Sequence, residues 1–415
     1  MLPPEAVKYL LLAFEGPDPY SRAGGLATRL IGLGSALAQA GYETHHVFIG
    51  DPARPAHERA GGVFLHRWGQ TLARRYPGGV YDGEEEKAAD LALHWPEVAL
   101  RAFLVPAAQN GRRVVVLAED WQVVEAAFAL SDLAWEQGLR RTLTLVWNAN
   151  NLFGFDRIDW ARLAFVANLT TVSRWMKHEM WSRGVNPVVI PNGLGHDAYA
   201  PVDDAAVRAV QSAVADHRLW VKVGRFDPDK RWEQAIRAVA RAKETGLAVR
   251  CVVRGGHGPQ AQSVRAWADA LGLSWQAVRY GPDWPAPLAA PADVVEVVNF
   301  LPDAALRTLY RAADAVLANS GREPFGLVGL EVMAAGGIAF VGATGEDYAR
   351  PYGNAVVVET DDPDEILHHA RTLADRPDLA ESLREEGRRT ALAYAWSRIL
   401  PLFDRWMAYF LEGPR

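Results

Sequence analysis

Short apolar runs alternate along the whole chain with longer stretches in which apolar positions recur every three or four residues. The short runs have strand length and are apolar nearly throughout, which predicts strands buried on both faces rather than strands with one wet side. In the first half they fall at residues 9–14, 44–49, 114–118, 143–147 and 169–172. In the second half they fall at 220–223, 249–253, 294–300, 315–318, 338–341 and 355–358. Helical patterns lie between them, among them 26–40, ended by Gly41, and 232–245 and 303–312. Strand and helix alternating in this way is the signature of βαβ units and parallel sheets.

The alternation restarts after Val188-Val189-Ile190-Pro191-Asn192-Gly193, where Pro-Asn-Gly predicts a sharp turn. A chain of 415 residues is long for one core. The reading is therefore of two domains, 1–195 and 196–394, with a last helical segment over 395–415. Two doubly wound α/β domains of this kind are expected to face one another across a cleft. Ligands of such sheets bind outside the carboxyl ends of the strands, so the loops that follow strands are where chemistry is expected.

Composition narrows the function classes. A net charge of −6 gives no general attraction to nucleic acid or anionic lipid. No run of about 20 uncharged apolar residues is present to span a membrane, although a peripheral membrane contact stays open. The apolar start of the chain leads straight into Phe14-Glu15-Gly16-Pro17 and reads as a first strand rather than a leader. The single cysteine, Cys251, excludes an internal disulfide and a cysteine-built zinc site, and a cytoplasmic location is the default. Only six of the 44 basic residues are lysines, so a lysine at a motif position carries more information here than an arginine.

The most informative stretch runs from Ser320 through Glu323-Pro324-Phe325-Gly326-Leu327-Val328-Gly329-Leu330-Glu331 to Gly336. It follows the strand at 315–318. Pro324 suits the first turn of a helix, and Leu327, Leu330 and Ala334 recur on one face of it. A helix that starts at a strand's carboxyl end with small residues offers free N–H groups to a phosphate. Glu323 is read at the helix start and Glu331 about two turns further in.

This string resembles the E-x(7)-E donor motif of glycosyltransferase family 4, whose members have the GT-B fold of two Rossmann-like domains. The resemblance implies that Glu323 touches sugar hydroxyls and Glu331 the ribose, with Phe325, Gly326, Leu327 and Val328 lining the donor. Val223-Gly224-Arg225-Phe226-Asp227-Pro228-Asp229-Lys230 is similar to the family segment in which Arg225 and Lys230 grip the donor diphosphate. Arg254-Gly255-Gly256-His257-Gly258-Pro259 resembles a glycine turn of that family, which would bring Gly256 to the donor; a turn that needs glycine for its backbone explains it equally well, and His257 is given no catalytic part. The segment ending at Phe300 resembles the strand end that meets the base. Gly24 and Gly25, in the loop after the first strand, resemble the family's glycine-rich phosphate loop, with a plain flexible turn as the alternative. Asp120 is a candidate site residue or a helix cap, and Ser173 a helix cap. The segment from Ala395 is similar to the family's last helix, which packs back on the first domain.

The family usually has a histidine where this chain reads Trp147-Asn148-Ala149-Asn150-Asn151-Leu152. Asn150 stands in its place, or Asn148 if the alignment shifts by two. Asparagine hydrogen-bonds but does not shuttle a proton near neutral pH. The catalytic set implied is Glu323, Arg225, Lys230 and Asn150. The resemblance further implies a retaining transfer from a nucleotide-sugar to a carbohydrate or other hydroxyl acceptor, with no metal and no cofactor. Residues 51–113 match the family least and are expected to govern the acceptor. They hold His57, Arg59, His66, Arg67, Trp68, Arg74, Arg75 and Tyr76. A sugar-nucleotide binder that has lost transfer and a nucleotide-sugar epimerase are the alternatives. The nucleotide, sugar, acceptor and oligomeric state are not legible.

Overall fold

The apolar runs become two parallel sheets in the computed structural model, which describes residues 2–256, 258, 260–321, 323–342 and 347–413. The chain divides into two units, Met1–Gly195 with Ala395–Arg415, and His196–Tyr394.

The first unit contains β1 (Val7–Leu12), β2 (Glu43–Ile49), β3 (His57–Ala60), β4 (Val63–Trp68), β5 (Arg113–Glu119), β6 (Leu143–Ala149), β7 (Asn168–Thr171) and β8 (Val188–Val189). They lie in the order β3-β4-β2-β1-β5-β6-β7-β8, parallel except where β3 pairs antiparallel with β4. The central strands carry the longest apolar runs because helices cover them on both faces; Leu10, Leu11, Leu12, Val114, Val115 and Val116 are fully buried. After β1 the chain winds outward to β4, then returns to the other side of β1 as β5. The strand order therefore reverses between β1 and β5.

The second unit contains β9 (Arg218–Val223), β10 (Val249–Arg254), β11 (Trp275–Val278), β12 (Val294–Val297), β13 (Ala315–Ala318), β14 (Ala339–Gly342) and β15 (Val356–Val358). Their order is β11-β12-β10-β9-β13-β14-β15, and every described pairing is parallel. Here the reversal falls between β9 and β13. Trp220, Trp232, Ile236, Val253, Leu317 and Phe340 belong to one core cluster under this sheet.

The structure revises two expectations. The strand expected over 294–300 stops at Val297. Beyond it the Asn299 side chain accepts from Tyr280 N (2.7 Å) and donates to Tyr280 O (2.9 Å), doing the work of the ladder. Residues 51–113, expected to govern the acceptor, hold β3, β4 and the helices Gln70–Arg75 and Glu84–Ala99. Arg67 is buried rather than presented to a ligand, bonding Asp18 through Nε (2.7 Å) and Nη2 (2.9 Å).

The last helix, Trp396–Glu412, belongs to the first unit. Trp396 N donates to Leu194 O (3.1 Å), and the Asp404 carboxylate accepts from Leu2 N (2.9 Å) and the Tyr42 hydroxyl (2.8 Å). Gly32 and Gly193 leave room for the indole, since a Cβ at either would stand 2.2 or 2.6 Å from Trp396. Among the described residues no helix is long and apolar enough to cross a membrane.

Candidate functional site

In the second unit two loops leave the sheet on either side of the reversal. The loop after β9 is seated by Phe226, fully buried and 4.6 Å from the Trp232 ring, while Trp232 Nε1 donates to Arg225 O (2.7 Å). This seat explains two glycines of the next turn: a Cβ at Gly255 would lie 1.9 Å from the Phe226 ring, and one at Gly258 2.6 Å from Phe226 O. Gly256, expected at the donor, has φ 64° and nothing within 4 Å of where a Cβ would point. His257 and Pro259 lie outside the described residues.

The loop after β13 closes on the first. Gly321 N donates to Asp229 O (2.8 Å), and Lys230 Nζ lies 2.8 Å from Glu323 Oε1 and 3.4 Å from Asp229 Oδ2. Burial works against the Lys230 charge, but Glu323 and then Asp229 outweigh it and raise its pKa. Arg225 keeps a more open position, its Nε 3.0 Å from Asp227 Oδ2. Asp227 and Asp229 have the Asp-x-Asp spacing, and each carboxylate is matched to a cation of its own loop.

The helix at this loop runs Leu327–Ala334 and starts three residues later than Pro324 suggested. Gly326, at φ 79°, makes the turn into it, a conformation glycine takes without strain. Phe325 is buried between Tyr348 (5.7 Å) and Tyr394 (5.8 Å), so its side chain anchors the loop instead of facing a ligand. Leu327 is likewise buried and Val328 half-buried. Glu331 is the fifth residue of the helix, about one turn in rather than two. Tyr348 donates to Gly326 O (2.5 Å). Its pKa is raised by burial, with Glu323, Tyr394 and Glu331 adding. Phe300 projects from the loop after β12, 66% exposed. The structure thus carries Arg225, Lys230, Glu323 and Gly326 on the β9 and β13 loops, with Glu331 in the helix that follows.

Gly24, Gly25 and Asn150 belong to the first unit. The Gly24 amide, expected to face a phosphate, is already bonded to a carboxylate of its own chain. Glu15 Oε2 accepts from Gly24 N (3.0 Å), Ala27 N (3.0 Å) and Ala23 N (3.3 Å), while Oε1 accepts from the Tyr81 hydroxyl (2.6 Å). Gly25 opens the helix Gly25–Gln39 behind it.

At the end of β5, Glu119 and Asp120 organise a buried network. Glu119 Oε1 accepts from Arg29 Nε (3.3 Å), and Oε2 accepts from Asn148 Nδ2 (2.8 Å) and Asn150 Nδ2 (2.6 Å). Asn148 is enclosed within β6, whereas Asn150 sits at the strand's carboxyl end and is half-buried, so Asn150 is the one of the pair that reaches the rim. The Asn150 Oδ1 atom is buried without a hydrogen-bond partner.

Asp120 is a further candidate and not a helix cap. Its side chain makes no cap bond but accepts from Asn150 N (2.7 Å) and Asn151 Nδ2 (2.7 Å). Its backbone has φ 66° and ψ −179°, a glycine-type region that costs a side-chain-bearing residue about 1–3 kcal/mol. Trp147 Nε1 bonding to Asp120 O (2.9 Å) helps hold it there. Burial, with Glu119 adding, raises its pKa to about 7. Ser173 is a helix cap, accepting from Met176 N (3.1 Å).

A family model described as glycosyl transferases group 1 matches residues 285–390. Over 397 residues the chain is 26% identical to a D-inositol 3-phosphate glycosyltransferase of Thermobispora bispora, covering 90% of this chain and 87% of that protein. A protein of the same description from Actinosynnema mirum is 32% identical over 163 residues, 38% of this chain and 36% of that one. Among solved structures, the catalytic domain of starch synthase IV from Arabidopsis thaliana, bound to ADP and acarbose, matches with a TM-score of 0.72 at 15% identity, covering 98% of this chain and 99% of that one. Sucrose-phosphate synthase from Thermosynechococcus elongatus matches with a TM-score of 0.68 at 19% identity, covering 98% and 100%. The matched domain and the pair of Rossmann-like sheets make the chain a glycosyltransferase-type enzyme with the GT-B architecture.

Proposed function

We propose that the chain, as a member of glycosyltransferase family 4, transfers a sugar from a nucleotide-sugar to an acceptor hydroxyl with retention of configuration and without a bound metal. The observation that carries this reading is the Lys230–Glu323 pair, which joins the β9 and β13 loops at the strand reversal and ahead of the helix Leu327–Ala334. Open α/β sheets bind nucleotides at such a reversal, and a helix N-terminus there attracts phosphate.

In this reading Arg225 and Lys230 hold the pyrophosphate, Glu323 accepts from sugar hydroxyls and Glu331 from the ribose, and Phe300 lies beside the base. The bond from the sugar's anomeric carbon to the diphosphate oxygen breaks, and its electron pair leaves with the diphosphate. Fixed cations stabilise that growing charge. The acceptor oxygen bonds the same face of the sugar, and its proton passes to the departing phosphate. The second unit takes the donor and the first the acceptor, where Asn150 and Asp120 orient the attacking hydroxyl.

Thermal stabilisation by UDP-, GDP- and ADP-sugars tests donor binding, since a ligand of the folded state raises stability by mass action. NMR of the product linkage tests retention, and an inverted linkage refutes it. Turnover unchanged by EDTA is expected without a metal.

A second reading, a binder that no longer transfers, draws on Asn150, whose amide is committed to Glu119 in place of a titrating imidazole. Saturable nucleotide-sugar binding without turnover on any acceptor selects it.

A further inference from the structure

Lys222 is a lysine inside the central strand of the second sheet, 3% exposed, and the transfer chemistry above makes no use of it. Burying an ammonium is costly unless it is paired and hydrogen-bonded. Its position shows what it does for the fold. β9 and β13 pair only at Trp220–Ala315 and Val221–Val316, and past that register the two strands part. The Lys222 ammonium fills the parting, donating to Asn319 Oδ1 (2.6 Å) and Leu317 O (3.2 Å), and it lies 5.0 Å from the centroid of the Trp232 ring.

Each of these partners leads to a donor loop. Trp232 holds the Arg225 carbonyl, and Asn319 begins the loop that carries Glu323. Asn319 Nδ2 also donates to Gln234 Oε1 (2.8 Å), and Gln234 Nε2 to Thr360 O (2.8 Å) after β15. One buried cation thus ties three strand ends together at the point where the strand order reverses.

We propose that Lys222 is the positioning residue of the donor site: its ammonium fixes the loops bearing Arg225, Lys230 and Glu323, and its protonation is coupled to the pyrophosphate they receive. This rests on the donor reading above.

The charged groups facing Lys222 are Lys230 and Arg231 after β9 and Glu323 after β13, while Cys251 on β10, pushed up to about 12 by burial, stays a neutral thiol. Burial, then Lys230, lowers Lys222 to about 7, so near neutral pH part of the population holds an uncharged amine. A pyrophosphate beside Lys230 adds negative charge and draws the proton back. Donor affinity then falls as pH rises through 7, and binding takes up protons; each unit by which binding raises the pKa is worth up to about tenfold in affinity.

Calorimetric titration with UDP-glucose, GDP-mannose and ADP-glucose decides the matter, because their pyrophosphate diesters stay doubly ionised across the range. Performed from pH 6.5 to 8.5 in buffers of differing ionisation enthalpy, it is expected to show affinity dropping about tenfold, with net proton uptake, for whichever donor binds. Lys222→Met, checked for folding by circular dichroism, is expected to bind more weakly at pH 6.5 and to lose the slope. Wild-type affinity that is flat with pH, or a folded Lys222→Met with the wild-type slope, overturns the coupling while leaving the donor reading intact. Should Lys222→Met not fold, the wild-type proton uptake alone decides. Absence of binding by all three sugars removes the donor reading itself.

Discussion

The two units reverse their strand order in the same way, between the first strand and the strand that returns to its other side, yet the two crevices are lined by different side chains. In the first unit the helix amides at the reversal are bonded to Glu15, while Glu119 ends β5 and Asp120 follows it. In the second, Arg225, Lys230 and Arg231 on the β9 loop each lie against a carboxylate, and Lys222 within β9 donates to an amide oxygen. Topology supplies the place and side chains decide what enters it. A crevice whose amides already hold their own carboxylate suits an uncharged polyhydroxy ligand. A crevice of cations suits a pyrophosphate.

If that contrast holds, damage to the first crevice lowers stability and damage to the second lowers ligand affinity or turnover. The largest effect is expected from Arg29→Met, which leaves Glu119 buried without its cation: about 3–5 kcal/mol, seen as an earlier urea transition of the first unit while donor-induced stabilisation persists. Lys230→Ala is expected to cut kcat about 100- to 1,000-fold and shift the thermal midpoint little. A loss of folding instead of turnover in Lys230→Ala would erase the distinction between the two crevices.

The pH response sharpens the comparison further. His46 is fully buried and its pKa is lowered by burial to about 4, so the unfolded chain binds its proton first and stability falls as pH drops from about 6.5 toward 4. Asp120, raised to about 7, has the opposite sign: the folded state holds its proton from about pH 4 to 7 and gains stability as pH drops across that window. The two offset one another between pH 6.5 and 4.5. Asp120→Asn is expected to unmask the histidine and steepen acid destabilisation by about 1.4 kcal/mol per pH unit, measurable by urea titration at each pH. The smallest effect belongs to Glu15→Gln, which keeps the shape of the cap but removes its charge, about 1–2 kcal/mol.

The central strands were legible because burial on both faces leaves an apolar run; 315–318 and the helix at 303–312 have those bounds in the structure. Edge strands escaped the same reading. His57–Ala60 is exposed at every position and exists because Val63–Trp68 offers it a ladder. Within the site, Lys230 and Glu323 stood out by spacing and by the rarity of lysine. Lys222 left only a break in an apolar strand, and its meaning depends on Asn319, nearly a hundred residues away. Glu15 was silent for a related reason, since a carboxylate that caps amides eight to twelve residues later has no local pattern. The start of the helix at Leu327 instead of near Pro324 came from Phe325, which tertiary packing draws inward against Tyr348.

The last helix sets an order of assembly. The chain leaves the first unit at Gly195 and re-enters it at Ala395, and Trp396 and Asp404 complete a core whose other walls were made hundreds of residues earlier. During synthesis the first unit must wait, unfinished, while the whole second unit emerges and can close on itself. A released chain truncated after residue 394 should therefore present a protease with a digestible front half and a resistant back half.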